Sequence, residues 1–375
     1  MHVALNALLL SRAQSYRSGG ISRVIYHLLA EFARDARGHR FDAFVPEAPT
    51  DEKLSRGSIR YHTAGSATER PTLRIAWEQA RLPRVLQRAQ PDLLHGLAYA
   101  LPIGWSGPAV VSVYDLSFFH FPRAFKPANR IYLAAATRAA ARRARRILTI
   151  SESTRRDIVR LLSVPQDRVE VTYPAAEERF RVLPADEVEA FRRARNLPEV
   201  FIFAVGTLEP RKNVVGLLQA YARLSRPRPP LVIGGGAGWR FSPIFDTVER
   251  LNLHDQVTFL GFVAEDELPL WYNAARLFAF PSLYEGFGLP VLEAMACGTP
   301  VITSNAASLP EVGGTAVALV APQDSDQLAR EMQRVLDDGQ ARKEMRAAGR
   351  IQATRFSWRS LADATAASYT RAMRS

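Results

Sequence analysis

One cysteine in 375 residues excludes an internal disulfide framework. The seven histidines show neither His-x-His nor His-Glu-x-x-His spacing, so no metal site is signalled. No run of 18 apolar residues occurs, which argues against a membrane-spanning helix. The apolar run Val3 to Leu10 lacks a basic stretch before it and a small-x-small cleavage site after it. It leads into a strand–loop–helix pattern and so reads as a first core strand rather than a secretion signal. Helix-turn-helix, zinc-finger and aromatic RNA-binding signatures are all missing, which removes the usual reasons to expect nucleic acid as a partner.

What is present is enough apolar material, 47%, for more than one ordinary core. The net charge of +12 is lopsided: residues 1–180 carry 27 Lys+Arg against 16 Asp+Glu, and residues 181–375 carry 22 against 21. The densest basic piece, Arg130 to Arg146, sets Arg138, Arg142, Arg143, Arg145 and Arg146 among alanines. It reads as a basic helix with two open interpretations: a solvated face, or a contact for a phosphate-bearing partner such as an anionic membrane surface or a lipid diphosphate.

Apolar strands alternate with amphipathic helices in both halves, the pattern of parallel sheets covered on both faces. Strands are expected near 2–10, 41–45, 92–95, 109–113 and 147–151, then near 200–206, 230–234, 257–260, 276–280 and 300–303. Helices are expected near 20–34, 73–89, 126–145 and 153–162, and between the later strands. Two α/β domains follow, over 1–180 and 181–355, with a hinge in the Pro- and charge-rich stretch Tyr173 to Pro198. A last helix opened by Phe356-Ser-Trp358, over 356–375, is left to pack on the first domain.

The strongest chemical signal is Glu285 and Glu293, with seven residues between them in Tyr284-Glu-Gly-Phe-Gly-Leu-Pro-Val-Leu-Glu-Ala, directly after the apolar run Leu277 to Phe280. Pro281 to Gly288 reads as a glycine-rich turn and Pro290 as the first helical residue. Glu285 then lies in the loop and Glu293 in the first helical turn, where the dipole favours an acid. Either acid alone also fits a solvated or dipole-complementing role.

Three turns join a strand end to a helix start, where free N–H groups attract anions. They are Ser18-Gly19-Gly20, Gly206-Thr207 through Arg211-Lys212-Asn213, and Gly234 to Gly238. In the second, Asn213 is the expected N-cap, and two adjacent cations at a helix start oppose the dipole, a conflict that a bound phosphate would resolve. The third fails as a dinucleotide fingerprint, because its last required glycine falls on Trp239 and no acid follows about 20 residues later.

Taken together, these residues resemble glycosyltransferase family 4, retaining enzymes that use nucleotide-sugar donors on a GT-B fold. The likeness rests on Gly19-Gly20, Gly206 to Asn213, Leu260-Gly261-Phe-Val263, Glu285 to Glu293, the following Ala294-Met-Ala-Cys-Gly-Thr-Pro300, and Glu311. It implies two doubly wound Rossmann-like domains facing across a cleft, with the C-terminal helix crossing back to the first. It also implies that Glu285 binds the donor sugar's hydroxyls, Arg211 and Lys212 its diphosphate and Glu293 its ribose. Gly286, Phe287, Gly288 and Leu289 would supply backbone N–H groups, with Gly19, Gly20, Gly206, Thr207, Gly261 and Val263 completing the donor site. Neither a cofactor nor a metal is implied.

The wording Gly-Thr-Leu-Glu-Pro-Arg-Lys-Asn is most similar to bacterial enzymes of O-antigen and surface-polysaccharide synthesis, many of them mannosyltransferases. The implied partners are GDP-mannose and a glycan or lipid-diphosphate-linked acceptor, with the enzyme in the cytoplasm or peripheral at the inner face of its membrane. One departure stands out: where many relatives carry His-Asp after the fourth strand, this chain has Tyr114-Asp115. A Tyr cannot act as an imidazole base, and His95 and His120 are ambiguous substitutes. Asp115 reads equally well as a strand-end acid capping a turn. The alternatives are a nucleotide-sugar epimerase or phosphorylase on the same fold, a nicotinamide dehydrogenase, and an electrostatic binding protein. The last leaves Glu285 and Arg211-Lys212 unexplained.

Overall fold

The computed structural model describes residues 1–11, 19–55 and 57–374; Ser18 therefore lies outside the described residues. The chain divides into two compact units, Met1–Pro174 with Ser357–Ser375, and Ala175–Phe356.

In the first unit the strands are β1 (His2–Asn6), β2 (Arg40–Val45), β3 (Ile59–Thr63), β4 (Leu93–Gly96), β5 (Ala109–Ser112), β6 (Arg146–Thr149) and β7 (Val169–Val171). They form one parallel sheet in the order β3-β2-β1-β4-β5-β6-β7. In the second unit β8 (Ile202–Val205), β9 (Leu231–Gly234), β10 (Val257–Gly261), β11 (Leu277–Phe280), β12 (Val301–Ser304) and β13 (Ala318–Val320) follow the order β10-β9-β8-β11-β12-β13, again parallel. Both are doubly wound: strand order reverses between β1 and β4, and again between β8 and β11. In open α/β sheets such reversals open a crevice at the strands' carboxyl ends.

Central strands are buried on both faces and read as apolar runs; Val3, Leu5, Phe203 and Phe278 are all fully buried. The strands absent from the sequence reading, β3, β7 and β13, are sheet edges of three to five residues, partly exposed, with no apolar run. The first strand ends at Asn6 rather than near 10: the Ala7 N–H makes the last ladder bond, to the Phe44 carbonyl, and the Leu10 N–H then turns back to the Ala7 carbonyl.

The expected helix over 73–89 is three consecutive segments: Pro71–Ala76, a wide π turn Trp77–Arg81, and Leu82–Ala89. Pro83 has no N–H for the Gln79 carbonyl, and its ring crowds that carbonyl, so the ladder widens just before it. The expected hinge contains a helix, Ala185–Ala194, none of whose residues is fully buried, which explains its weak periodicity.

The helix Trp358–Arg374 belongs to the first unit, burying Leu361, Ala362, Ala366, Tyr369 and Ala372 in its core. Trp358 stacks on His27 at 4.2 Å, and the Tyr369 hydroxyl shares a 2.7 Å hydrogen bond with His95 Nδ1. The basic stretch resolves into a helix, Pro127–Arg143, and the start of β6. Arg138 stacks on Phe119, Arg143 donates to the Pro102 and Trp105 carbonyls, Arg145 to Ala372 and Arg146 to Asp167. Four of the five arginines thus also touch other parts of the protein, while Arg138, Arg142 and Arg143 remain exposed to solvent.

Candidate active site

At the reversal in the second sheet, β8 and β11 lie side by side and deliver two loops to the same carboxyl edge. Gly206 leaves β8 with φ 154°, a backbone state that favours glycine. A single 3₁₀ turn, Pro210–Lys212, then leads to the helix Val214–Ala222. From β11 the loop Pro281 to Gly288 leads to the helix Leu289–Ala296. The loops are stitched together by Leu283 N–H donating to the Arg211 carbonyl at 2.8 Å and Asn213 Nδ2 donating to the Pro281 carbonyl at 3.1 Å. Asn213 sits in the left-handed region at φ 56°, and its side chain makes this cross-loop bond instead of the expected N-cap.

Between the loops lies a compact ionic cluster. Lys212 Nζ donates to Glu285 Oε1 at 2.6 Å, and Arg211 Nη1 donates to Glu285 Oε2 and to the Tyr284 carbonyl, both at 2.8 Å. The far side of the Arg211 guanidinium is held by Glu209, with Nε to Oε1 at 2.9 Å, and Trp239 Nε1 donates to the other Glu209 oxygen at 3.1 Å. The Lys212 ammonium also sits 4.9 Å from the centre of the Phe280 ring. The two cations at the helix start are thus neutralised from within the chain, by Glu285 and Glu209, where the sequence suggested only a ligand could do it.

Glu285 is 8% exposed. Burial alone would push its carboxyl up, but the charges of Arg211 and Lys212, with the Lys212 hydrogen bond, pull it down to about 2. Burial lowers the Lys212 ammonium by more than Glu285 raises it, and Arg211 lowers it further. The cluster is a desolvated carboxylate clamped by two cations at a sheet reversal, an arrangement that can exchange one anion for another.

The loop itself is pinned by Ser308, fully buried, whose hydroxyl donates to the carbonyls of Glu285 at 2.9 Å and Phe287 at 2.6 Å. Gly288, at φ 113°, caps the following helix, which begins at Leu289, so Pro290 is its second residue rather than its first. Glu293 accordingly lies beyond the first turn, 1% exposed, and accepts a 3.0 Å hydrogen bond from the Tyr272 hydroxyl. It is buried deeper than its expected place in the first turn implied.

The glycine turn that fails as a dinucleotide fingerprint has a packing reason. Gly235, at φ 138°, lies so close to Gly206 that a Cβ would meet the Gly206 carbonyl at 1.9 Å, and its N–H donates to Gly261 at 2.6 Å. A Cβ on Gly238 would come within 2.7 Å of the Thr207 methyl, and one on Gly234 within 2.7 Å of a Val263 methyl. Gly206, Thr207, Gly261 and Val263 are therefore brought to one edge with the ionic cluster. Sequence reasoning missed Glu209, Trp239, Tyr272 and Ser308. Glu209 was findable as an acid two residues from Arg211, whereas Ser308 joins the loop from 23 residues away with no local signal.

The remaining expected residues lie in the first unit. Gly19 precedes and Gly20 opens the helix Gly20–Arg34, both exposed, at the carboxyl side of β1. Tyr114 is 5% exposed and packed in the first core, edge-on to Tyr99, with its hydroxyl bonded to Ser112. The ring is turned inward, into that core. Asp115 accepts from the Ser117 N–H and hydroxyl at 2.9 and 2.7 Å, the turn-capping alternative. His95 is fully buried between Tyr369 and Ser112, and burial lowers its pKa to about 3, so it is neutral. His120 pairs with Asp157 at 2.7 Å. Among the described residues no group of three or more His, Cys, Asp or Glu could hold a metal, and no helix is long and apolar enough to cross a membrane.

Comparison with known proteins agrees with this geometry. The family description "Glycosyltransferase Family 4" matches residues 18–178, and "Glycosyl transferases group 1" matches residues 186–352. The O-antigen chain mannosyltransferase B of Escherichia coli is 37% identical over 282 residues, 74% of this chain and 74% of that protein. The serotype-specific mannosyltransferase WbdA of Escherichia coli is 35% identical over 244 residues, 62% of this chain but only 29% of that longer protein. Among solved structures, sucrose-phosphate synthase from Thermosynechococcus elongatus superimposes with a TM-score of 0.77 at 23% identity, covering 99% of this chain and 98% of that one. With the first Escherichia coli relative spanning most of both chains, and both sheets doubly wound as in the GT-B fold, this chain belongs to the family 4, group 1 glycosyltransferases.

Proposed function

We propose that this enzyme transfers mannose from GDP-mannose, with retention of configuration, to a glycan or lipid-diphosphate-linked acceptor in the assembly of a bacterial surface polysaccharide. The observation that carries the donor chemistry is the Glu285 carboxylate held by Lys212 at 2.6 Å and Arg211 at 2.8 Å. When the donor enters, its diphosphate takes the hydrogen bonds that Lys212 and Arg211 now give to Glu285. The freed carboxylate accepts from the sugar's hydroxyls. As the sugar–phosphate bond breaks, negative charge grows on the leaving diphosphate, and the two preorganised cations stabilise it. Arg211 and Lys212 thus supply the charge a metal would otherwise provide, so chelation with EDTA is expected to leave turnover unchanged.

Gly286 through Leu289 approach the diphosphate and sugar with backbone N–H groups, while Gly206, Thr207, Gly261 and Val263 line the rest of the donor site. Glu293 takes the ribose by exchanging its hydrogen bond from Tyr272. Gly19, Gly20 and Asp115 belong to the acceptor-side unit, and Tyr114 supports it from the core. Departure of the phosphate oxygen with the acceptor's proton, on the same face, needs no strong protein base and suits a chain with Tyr114 in place of a histidine. The mannosyl assignment is supported by the similarity to the two Escherichia coli mannosyltransferases. The enzyme works at the cytoplasmic face of the membrane, where the exposed Arg138, Arg142 and Arg143 carry the cationic contact with anionic lipid.

A thermal-shift panel of GDP-mannose, UDP-glucose, UDP-N-acetylglucosamine and their nucleoside diphosphates tests the donor. A ligand at 100 times its Kd stabilises by about 2.7 kcal/mol. Stabilisation by GDP and GDP-mannose above the uridine compounds supports the reading; a preference for UDP-sugars replaces the donor.

A further inference from the structure

The glycine run Gly234 to Gly238 fails as a dinucleotide fingerprint at Trp239, and that residue has a partner in the ionic cluster. The run is zipped along the chain that leaves β8. Gly206 N–H donates to the Gly234 carbonyl and Leu208 N–H to the Gly236 carbonyl, both at 3.0 Å, and Gly238 N–H donates to the Leu208 carbonyl at 3.1 Å. Leu208 and Ala237 thereby add one parallel bridge past the end of the sheet. At Gly238 a Cβ would stand 2.8 Å from the Leu208 carbonyl oxygen and 3.4 Å from the Glu209 Cβ, so only glycine brings the two chains this close. Trp239 is delivered beside Glu209 as a result, and its indole N–H donates to Glu209 Oε2 at 3.1 Å. Arg240, next in the chain, holds the left-handed backbone state at φ 50°, uncommon for a residue other than glycine, and its guanidinium lies 5.8 Å from the centre of the Trp239 indole.

Both Glu209 oxygens are therefore committed. Oε1 takes Arg211 Nε at 2.9 Å and Nη2 at 2.6 Å, and Oε2 takes Trp239. Nε and Nη2 form one edge of the guanidinium; Nη1, on the other side, points at Glu285 and the Tyr284 carbonyl. A carboxylate against a cation that has to hold a diphosphate works against affinity, because it repels the incoming anion and shares the cation's charge. Its presence is accounted for by aim. A guanidinium gripped along one edge cannot turn when its partner on the other side leaves, since the planar fork fixes all its donors together. A glutamine at position 209 could not do the same, because its amide would turn an NH₂ group towards one of two donors.

We infer that Trp239 and Glu209 are positioning residues for sugar transfer: the indole N–H fixes Glu209, and Glu209 fixes the Arg211 guanidinium so that Nη1 stays aimed at the leaving diphosphate once Glu285 has released it. The inference rests on the glycosyl-transfer reading above. Both residues act through Arg211 and not on the donor itself. Their effect falls on the bond-breaking step rather than on the hold on the nucleotide, which Lys212 and the loop amides keep. The glycine run then serves as a bracket that places Trp239, in the loop after β9, against the loop after β8.

The test follows nucleoside diphosphate release coupled to sugar transfer, with GDP-mannose or whichever sugar nucleotide of the thermal-shift panel the wild type turns over. Trp239→Phe and Glu209→Gln are each made in the full wild-type chain and again in the Arg211→Ala background. In the wild-type background Trp239→Phe should lower kcat by roughly 10-fold and Glu209→Gln by roughly 10- to 100-fold, the range for hydrogen bonds to charged groups, with the donor KM within about threefold. In the Arg211→Ala background neither should lower kcat further, because the group they aim is gone. A merely structural role would lower it in both backgrounds alike. Nucleoside diphosphate affinity, measured by calorimetry, should not weaken in either variant, which also shows that they fold; if Glu209→Gln does not fold, Trp239→Phe and its cycle with Arg211→Ala decide. Near-native kcat in both variants, equal losses with and without Arg211, or a loss carried by KM alone overturns the inference while leaving the glycosyl-transfer reading standing. A wild type that binds none of the panel's nucleotides and turns over none of its sugars marks the failure of that reading, and the inference falls with it.

Discussion

Glu285→Gln is the most informative single change, because it removes one charge and almost no volume from a cluster whose members balance each other. In the free protein the carboxylate is held by Lys212 and Arg211 and its pKa falls from an ordinary 4.5 to about 2. A drop of that size corresponds to about 3 kcal/mol of stability, and the 8% exposure of Glu285 leaves little solvent screening to discount. The folded-state pKa is depressed, so this stability is fully present above about pH 5 and is lost as pH falls towards 2. Glutamine leaves two cations without their shared anion, which costs roughly 3–5 kcal/mol in a buried pair. The variant should therefore melt lower at pH 7, and its stability should depend less steeply on pH between about 5 and 3. Its affinity for GDP should move the other way. The diphosphate no longer competes with Glu285 for Lys212 and Arg211, so Kd should fall by roughly 10-fold, equivalent to about 1.4 kcal/mol of recovered pairing. Sugar transfer should be lost, because the amide cannot replace the carboxylate against the donor's hydroxyls. Calorimetric titration with GDP and urea melts across pH measure all of this. Unchanged stability together with equal or weaker GDP binding would refute the exchange of anions.

Three further outcomes follow from the same contacts. Ser308→Ala removes a fully buried hydroxyl that donates to the Glu285 and Phe287 carbonyls, so it should destabilise by about 1–3 kcal/mol and lower kcat; urea melts and initial rates check both. Gly235→Ala would set a Cβ 1.9 Å from the Gly206 carbonyl and should displace that loop, weakening GDP binding in calorimetry far more than it alters the far-UV spectrum. Tyr369→Phe leaves the buried His95 Nδ1 without its partner and should cost about 1–3 kcal/mol in a urea melt, with GDP affinity untouched because the proposed nucleotide site lies in the other unit.

The central strands were legible because parallel strands buried on both faces are apolar along their whole length, and the loops that follow β8 and β11 announce themselves with glycine and proline. Edge strands such as β3 and β13 were not, since half-exposed segments of three to five residues carry no such run. At the site, the residue types were visible but their pairing was not. Lys212 and Glu285 stand 73 residues apart, and only the adjacency of β8 and β11 brings them to 2.6 Å. The same distance effect hid the hydrogen bond between Asn6 and Glu78, 72 residues apart, with Glu78 carried by a π turn whose cause, Pro83, is readable only once the surrounding helix is known. In the basic stretch the sequence showed the charges but not their internal contacts, because arginine's reach lets a side chain end on a carbonyl from another element.

The most direct test of the account is the rate of GDP release coupled to sugar transfer from saturating GDP-mannose, compared between wild type, Lys212→Ala and Arg211→Ala. Each substitution removes one preorganised cation from the leaving diphosphate, so each should lower the rate by roughly 10²- to 10³-fold, with mannose transferred in its original anomeric configuration by wild type. Near-native rates in both variants would contradict the claim that this cluster is where the donor is held and cleaved.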